Sequence, residues 1–225
     1  AEDFATFVAA HPDHQVISYV NTSAAVKAHT DVVVTSSNAR QIVESFPQDA
    51  KLIFGPDRNL GGYINVVTGR KMLLWDGACH VHSQFSVEAL IELKRQYPDA
   101  AVLAHPECKE AILKLADVVG STAALLSYAQ KSDKQQFIVV TESGILHEMK
   151  KSCPDKKFIP APPDTTEGTT SCSCNECNYM RLNTLEKVYN CLRYEYPQVE
   201  VDANVATKAV KPIERMLELS EKLVK

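Results

Sequence analysis

The sequence of 225 residues lacks the features of a membrane protein and of a nucleic-acid-binding protein. No apolar run approaches the ~20 residues of a membrane-spanning helix. No block of lysine and arginine offers a surface to nucleic acid, and the net charge is −4 at pH 7. No secretory signal peptide is visible, and the first residue is alanine rather than methionine, so we expect a processed chain or missing upstream sequence.

The cysteine count argues against a disulfide framework, because seven is an odd number. The chain is not short and lacks secretory signals, which favours the cytoplasm, where clustered thiols serve as metal ligands or redox groups. Cys172, Cys174 and Cys177 lie within six residues, just before a predicted helix. This spacing is a strong local signal for soft-ligand metal binding, with a redox dithiol as an alternative.

Two kinds of metal site fit the cysteine cluster. A structural zinc site needs four ligands, so a second pair would have to come from Cys79, His80 and His82. An iron–sulfur cluster with one open iron would instead use one thiol of the cluster, Cys79 and a third cysteine. We expect Cys153 and Cys191 to be small residues of the core.

The order of apolar segments predicts an α/β protein with parallel sheets. Short β-branched runs alternate with helix-forming segments in 14–57, in the order βαβαβ, and the same alternation recurs in 100–162. The recurrence predicts two similar three-layer α/β/α units in tandem. A loop rich in Pro, Thr and Gly then leads to two helices, and we expect Asn183 to cap the first and the second to begin near Pro212.

Polar residues follow the predicted strands, where open parallel sheets bind their ligands. In chain order, the residues that we single out there are Tyr19, Asn21, Ser36, His105, Glu107 and Thr122. A hydroxyl directly before a helix is a natural anion site, but Ser, Thr and Asn are also ordinary helix caps, so both interpretations stay open for Ser36 and Thr122. His105 and Glu107 can point a proton donor and a proton acceptor into one cleft.

Eight segments, taken in order, resemble the quinolinate synthases, the iron–sulfur enzymes of de novo NAD synthesis. They are ISYVNTSAAVKA, VVVTSSNA, IFGPDRNLG, WDGACHVH, PDAAVLAHPEC, ADVVGST, VTESGILHEMKK and CSCNECNYMRLNTL. The resemblance implies three similar α/β/α domains in a triangle around a central active site. It further implies that 1–78 and 79–170 are the second and third domains, that 171–225 packs toward the first, and that the chain is truncated at its N-terminus and inactive alone.

The resemblance also implies a [4Fe-4S] cluster held by three cysteines, one from each domain. Cys79 matches the second ligand and Cys177 the third, and the first is expected upstream of this chain. Cys172 and Cys174 then either pair as a disulfide or line the cluster. Most members of the family have proline after the last ligand, where this chain has Asn178, which keeps an N–H and more backbone freedom.

The reaction implied by the resemblance condenses iminoaspartate with dihydroxyacetone phosphate to quinolinate, with loss of phosphate and two waters. Tyr19, His105 and Glu107 are the implied catalytic residues, with Glu107 as general base and Tyr19 as its proton-relay partner. Asn21 would orient the substrate.

Ser36 and Thr122 would bind the carboxylate or phosphate oxygens of these substrates, and the open iron would act as a Lewis acid. The implied functional partners are L-aspartate oxidase or aspartate dehydrogenase, with neither nucleic acid nor membrane. A zinc-stabilised α/β binding module is the alternative to this enzyme.

Overall fold

The computed structural model describes residues 1–162 and 175–223. The first α/β unit precedes residue 75. In chain order its elements are α1 (Glu2–Ala9), β1 (Gln15–Tyr19), α2 (Ala24–Lys27), β2 (Val32–Val34), α3 (Ala39–Glu44), β3 (Leu52–Phe54), α4 (Arg58–Thr68) and β4 (Leu73–Leu74).

A second α/β unit follows and leads to the C-terminal helices. Its elements are α5 (His80–Ser83), α6 (Val87–Gln96), β5 (Ala101–Ala104), α7 (Glu110–Leu113), β6 (Val118–Val119), α8 (Thr122–Lys131), β7 (Gln136–Val140), α9 (Ile145–Ser152) and β8 (Lys157–Pro160). A 3-10 turn (Met180–Leu182), α10 (Leu185–Tyr194) and α11 (Ala203–Leu223) complete the described chain.

Both sheets are parallel and have the same strand order. The first sheet runs β2-β1-β3-β4 and the second β6-β5-β7-β8. The two units also repeat a hydrogen bond, since the N–H of Val16 donates to the Asp31 carboxylate and the N–H of Val102 to the Asp117 carboxylate, both at 2.7 Å. The predicted α/β class, with parallel sheets in tandem units, is therefore confirmed.

Helices cover both faces of each sheet, because successive strand residues point to opposite sides. In β1, Val16 shares a core with Phe4 of α1, while Ile17 packs with α3 and α4. In β5, Val102 packs with α6 and α7, and Leu103 packs with α8 and α9. Strands buried on both faces must be apolar throughout, which is why their segments read as continuous apolar runs.

Helix α11 packs on the first unit, where Met216 and Leu219 extend the core. It begins at Ala203 rather than near Pro212, so the predicted start was wrong. The reason is a cap further upstream, since Asp202 Oδ1 accepts two backbone N–H groups of the first turn at 2.9 and 3.1 Å. Pro212 lies inside the helix, where it removes one backbone hydrogen bond.

Helix α10 departs from its prediction in two respects. Thr184 rather than Asn183 is its cap, because the Thr184 side chain accepts a backbone N–H at 3.2 Å. Cys191 is exposed on this helix rather than in a core, while Cys153 is buried as predicted. Within the described chain, the apolar stripe of α10 faces solvent, at Leu185, Val188, Tyr189 and Leu192.

The helices of the described residues were compared with the length and apolar character of a membrane-spanning helix. Among these residues, none of the helices has both the length and the apolar character to span a bilayer. Even α11, which covers 21 residues, carries charged residues along its length.

Candidate active site

The carboxyl ends of both sheets open onto one cavity of about 1480 Å³. Strand ends of this kind are where open parallel sheets bind ligands. All the site residues predicted from the sequence line this cavity, namely Tyr19, Asn21, Ser36, Cys79, His105, Glu107, Thr122 and Cys177. The fold brings these residues together, and their chemical roles stay predictions.

Cys79 is positioned by a buried carboxylate at the start of α4. Its backbone N–H donates to Asp57 Oδ2 at 2.5 Å. The other oxygen of Asp57 accepts the N–H groups of Asn59 and Leu60 at 2.7 and 3.0 Å and so caps the helix. The half-buried Cys79 is thereby tied to the first unit, although α5 of the second unit begins directly after it.

Cys177 lies on a loop that is tied to the strand end of β7. Its backbone N–H donates to Glu142 Oε1 at 3.3 Å. The backbone carbonyl of Asn175 accepts the N–H of the residue after Glu142 at 2.9 Å. The ring of Tyr179 meets that of His80 edge-on at 5.4 Å, which joins this loop to the segment after Cys79.

Among the described residues, Cys79 and Cys177 are the cysteines that line the cavity. Cys108 is fully buried under the second sheet, and burial raises the pKa of its thiol, so it is a packing residue. Cys172 and Cys174, for which we predicted a disulfide or a place beside the cluster, lie outside the described residues.

A compact group of ionisable side chains lies beside Cys79. His82 Nδ1 is 3.1 Å from Glu107 Oε2, without the alignment of a hydrogen bond, and His82 Nε2 is 2.9 Å from Thr141 Oγ1. The ring of His105 stacks on that of His82 at 4.6 Å. Ligand atoms of Cys79, His82 and Glu107 lie within 4.8 Å of one another, so these three residues could hold a metal ion.

Burial and charge give the members of this group different protonation states. Burial alone would lower the pKa of His82, but contacts with Cys79 and Glu107 outweigh it and raise that pKa to about 9. Burial and the charge of His82 lower the pKa of His105 to about 4. Burial acts to raise the pKa of Glu107, yet the two histidines hold it below its ordinary value. At neutral pH the group therefore contains an imidazolium, a neutral imidazole and a carboxylate.

The remaining predicted residues offer hydroxyl and amide groups. Tyr19 Oη lies 3.5 Å from Ser36 Oγ, and burial raises the pKa of the Tyr19 phenol, which therefore stays protonated at neutral pH. Thr122 is the first residue of α8 and is not its cap, which is Ser121. Asn21 is exposed at the rim.

Sequence reasoning did not assign four residues of this site. Asp57 carries a readable signal, since an Asp directly before a helical run is a typical cap. Thr141 and Glu142 were visible as a polar strand end, without a role. His82 was considered only as a zinc ligand, and its supposed zinc partner His80 is exposed.

The site combines thiols with buried acid–base groups at the strand ends of two parallel sheets. These features define the class of the protein as an α/β enzyme with a site that could hold a metal. Comparison with known sequences narrows this class. The family model described as quinolinate synthetase A protein matches residues 1–218. The chain belongs to the quinolinate synthase family, a family of enzymes of NAD biosynthesis.

Curated relatives agree with this membership. The quinolinate synthase of Thermosynechococcus vestitus is 55% identical over 220 residues, which cover 98% of this chain and 68% of the relative. That of Chloroherpeton thalassium is 55% identical over 97% of this chain and 66% of the relative. That of Microcystis aeruginosa is 52% identical over 97% of this chain and 67% of the relative. The chain thus spans about two thirds of the length of these relatives.

Proposed function

We propose that this chain provides residues for the condensation of iminoaspartate with dihydroxyacetone phosphate to quinolinate. Family membership supports the reaction. The observation that carries the proposal for this chain is that all eight residues predicted for metal and substrate line one cavity. They come from the ends of both sheets and from two loops, so a shared cavity is not a consequence of nearness in sequence.

Cys79 and Cys177 are the residues that we propose to hold a [4Fe-4S] cluster. Both thiols are half-buried and free, and both line the cavity, which suits a group bound by thiolates. We propose that the remaining ligand comes from outside the described residues. When bound, the cluster would supply a Lewis-acidic iron for a substrate hydroxyl or carboxylate.

Both substrates are anionic, and the cavity offers groups that bind anions. Thr122 lies in the first turn of α8, where free N–H groups and the helix dipole favour negative charge. The hydroxyl of Ser36 and the amide of Asn21 also line the cavity, from the first unit. We propose that these three residues bind carboxylate and phosphate oxygens and orient the two substrates.

Proton transfer is the proposed role of Glu107, Tyr19 and His105. The lowered pKa of Glu107 keeps it a carboxylate at neutral pH, able to take a proton from a substrate carbon or nitrogen. The raised pKa of Tyr19 keeps its phenol protonated, able to donate to a departing hydroxide. His105 remains neutral beside Glu107 and can accept or relay a proton.

Iminoaspartate must be supplied by an enzyme that oxidises aspartate. We therefore propose a functional link to L-aspartate oxidase or aspartate dehydrogenase. Free thiols are expected in a reducing compartment, so the cytoplasm is part of the same proposal.

The test uses the full natural protein with its iron–sulfur cluster bound, handled under anaerobic conditions. Glu107→Gln keeps the shape of the side chain and removes the base, so kcat should fall by about 10²- to 10⁴-fold. Iron and labile sulfide should stay at the wild-type level. Glu110→Gln is the matched control, since Glu110 is exposed and pairs with Lys114. Wild-type turnover by Glu107→Gln would disprove the assignment of the base.

A further inference from the structure

The segments that carry the two candidate cluster cysteines are held by equivalent contacts. The pairing of Val16 with Ile53 and of Val102 with Ile138 aligns β3 with β7. Asp57 stands four residues after Ile53, and Glu142 stands four residues after Ile138. The repeat therefore places an acidic side chain at the same position beyond the corresponding strand of each unit.

Each of these carboxylates accepts the backbone N–H of one candidate cluster cysteine. Asp57 Oδ2 accepts that of Cys79 at 2.5 Å, and Glu142 Oε1 accepts that of Cys177 at 3.3 Å. The other oxygen of each carboxylate accepts the N–H two residues further along its own chain, at 2.7 Å in both units. Each carboxylate thus bridges a strand end and a cysteine.

A second matching contact fixes the same two segments. The N–H of Arg58, which follows Asp57, donates to the carbonyl of Gly77 at 2.8 Å. The N–H of Ser143, which follows Glu142, donates to the carbonyl of Asn175 at 2.9 Å. Both carbonyls belong to the residue two before a candidate cluster cysteine. The main chain at each cysteine is therefore held by two hydrogen bonds, and the two pairs of bonds are equivalent in the two units.

We propose that Asp57 and Glu142 are positioning residues, which hold the main chain of Cys79 and Cys177 so that both thiols face the same cavity. This inference rests on the proposed function where it treats these thiols as cluster ligands. It adds a structural reason for Cys177 to act together with Cys79. Residues that orient metal ligands from outside the coordination shell contribute strongly to metal affinity.

The first experiment needs neither cluster nor activity. Cluster-free protein is treated with iodoacetamide, and the alkylation rate of each cysteine is followed by mass spectrometry of its peptide. Asp57→Asn should raise the rate at Cys79 by about tenfold, because a hydrogen bond that holds its main chain is weakened, and leave Cys177 within about twofold of wild type. Glu142→Gln should do the reverse. This crossed pattern is specific, because general destabilisation would expose both thiols together.

Two control variants remove acidic side chains close in sequence to the cysteines. The carboxylates of Asp76 and Glu176 pair with Arg58 and Arg181 and do not accept a cysteine N–H. Asp76→Asn and Glu176→Gln should leave both alkylation rates at the wild-type value. Any pattern other than the crossed one contradicts the proposal, and if Asp57→Asn does not fold, Glu142→Gln alone decides.

The second experiment follows the reconstituted protein. Asp57→Asn and Glu142→Gln should each lose iron to a chelator about 10- to 100-fold faster than wild type. Each should also raise the midpoint potential, because a negative charge near the cluster is removed. If the alkylation pattern is crossed but the wild-type protein binds no cluster on reconstitution, the positioning role is supported and the proposed function is refuted. A stable cluster with unchanged iron loss in both variants would refute the positioning role alone.

Discussion

Replacing Thr141 with valine tests whether the contact between Thr141 and His82 contributes to the free energy of unfolding. Thr141 is 2% exposed at the end of β7, and its hydroxyl lies 2.9 Å from His82 Nε2. With a pKa of about 9, His82 is protonated at neutral pH, so its Nε2–H donates to this hydroxyl. Valine has nearly the shape of threonine and leaves this N–H buried without an acceptor.

The expected cost follows from that single contact. A buried donor without a partner costs about 1–3 kcal/mol, and more when the donor is charged. Thr141→Ser retains the hydroxyl and loses one methyl group, so we expect it to lose about 1 kcal/mol or less. Thr6→Val removes a hydroxyl from an exposed position of α1 and should change stability by less than about 0.5 kcal/mol.

Urea unfolding at pH 7, followed by tryptophan fluorescence and by circular dichroism, measures these differences. Coincident transitions would justify treating the unfolding as two-state. The order of stability should be wild type, then Thr141→Ser, then Thr141→Val. If Thr141→Val were as stable as Thr6→Val, the hydroxyl would not be the partner of His82, and the ionisable group would have to be held in another way.

Three further predictions concern the two sheets and the pH range. Ile138→Ala empties a fully buried position of β7 and should cost about 2–5 kcal/mol in urea unfolding, whereas Val66→Ala, at a 73% exposed position, should cost less than about 0.5 kcal/mol. A methyl group at Gly61 would lie 2.7 and 2.9 Å from Leu and Phe side-chain atoms, whereas one at Gly62 would meet Leu74 Cδ1 at 4.0 Å, an ordinary van der Waals contact. Gly61→Ala should therefore lower the melting temperature and Gly62→Ala should raise it. The pKa of His105 falls from 6.5 to about 4 on folding. The unfolded chain therefore binds more protons between these two pH values, so the contribution of His105 to the free energy of unfolding is complete above pH 6.5 and is lost as the pH drops toward 4. In His105→Gln the urea midpoint should vary less with pH over that interval.

Strands were predictable from the sequence because burial on both faces imposes β-branched and apolar residues. The exception is β4, which has only two residues and no pattern of its own. Helix α4 was also absent from the prediction, since Gly61 and Gly62 lower its intrinsic helix propensity. Tertiary contacts override that propensity: Asp57 caps the helix, and Leu60 and Ile64 are buried in the core of the first unit.

The positions of the site residues were predictable to the extent that they follow from parallel-sheet geometry. Residues just beyond strand ends must meet at one edge of a sheet, and all those that we named line the cavity. His82 was not predictable in the same way. It lies in a helix of four residues, and its contact with Glu107 depends on how α5 packs against the second sheet.

The repeat explains why the candidate site residues come in pairs from the two units. Val16 and Val102 are equivalent strand residues, and Asp31 and Asp117 are the equivalent aspartates that accept their N–H groups. The predicted residues of the two units lie the same number of residues after these reference positions. The resulting pairs are Tyr19 with His105, Asn21 with Glu107, and Ser36 with Thr122.

Within these pairs, the first unit supplies a phenol and an amide where the second supplies an imidazole and a carboxylate. The same strand-end geometry thus presents different chemical groups from the two units. The two sides must be held in register, and Asn59 Nδ2 does so directly by donating to the carbonyl of Glu107 at 3.0 Å. That contact joins α4 of the first unit to the strand end of the second. The arrangement of the cavity residues therefore depends on the contact between the units as much as on either sheet.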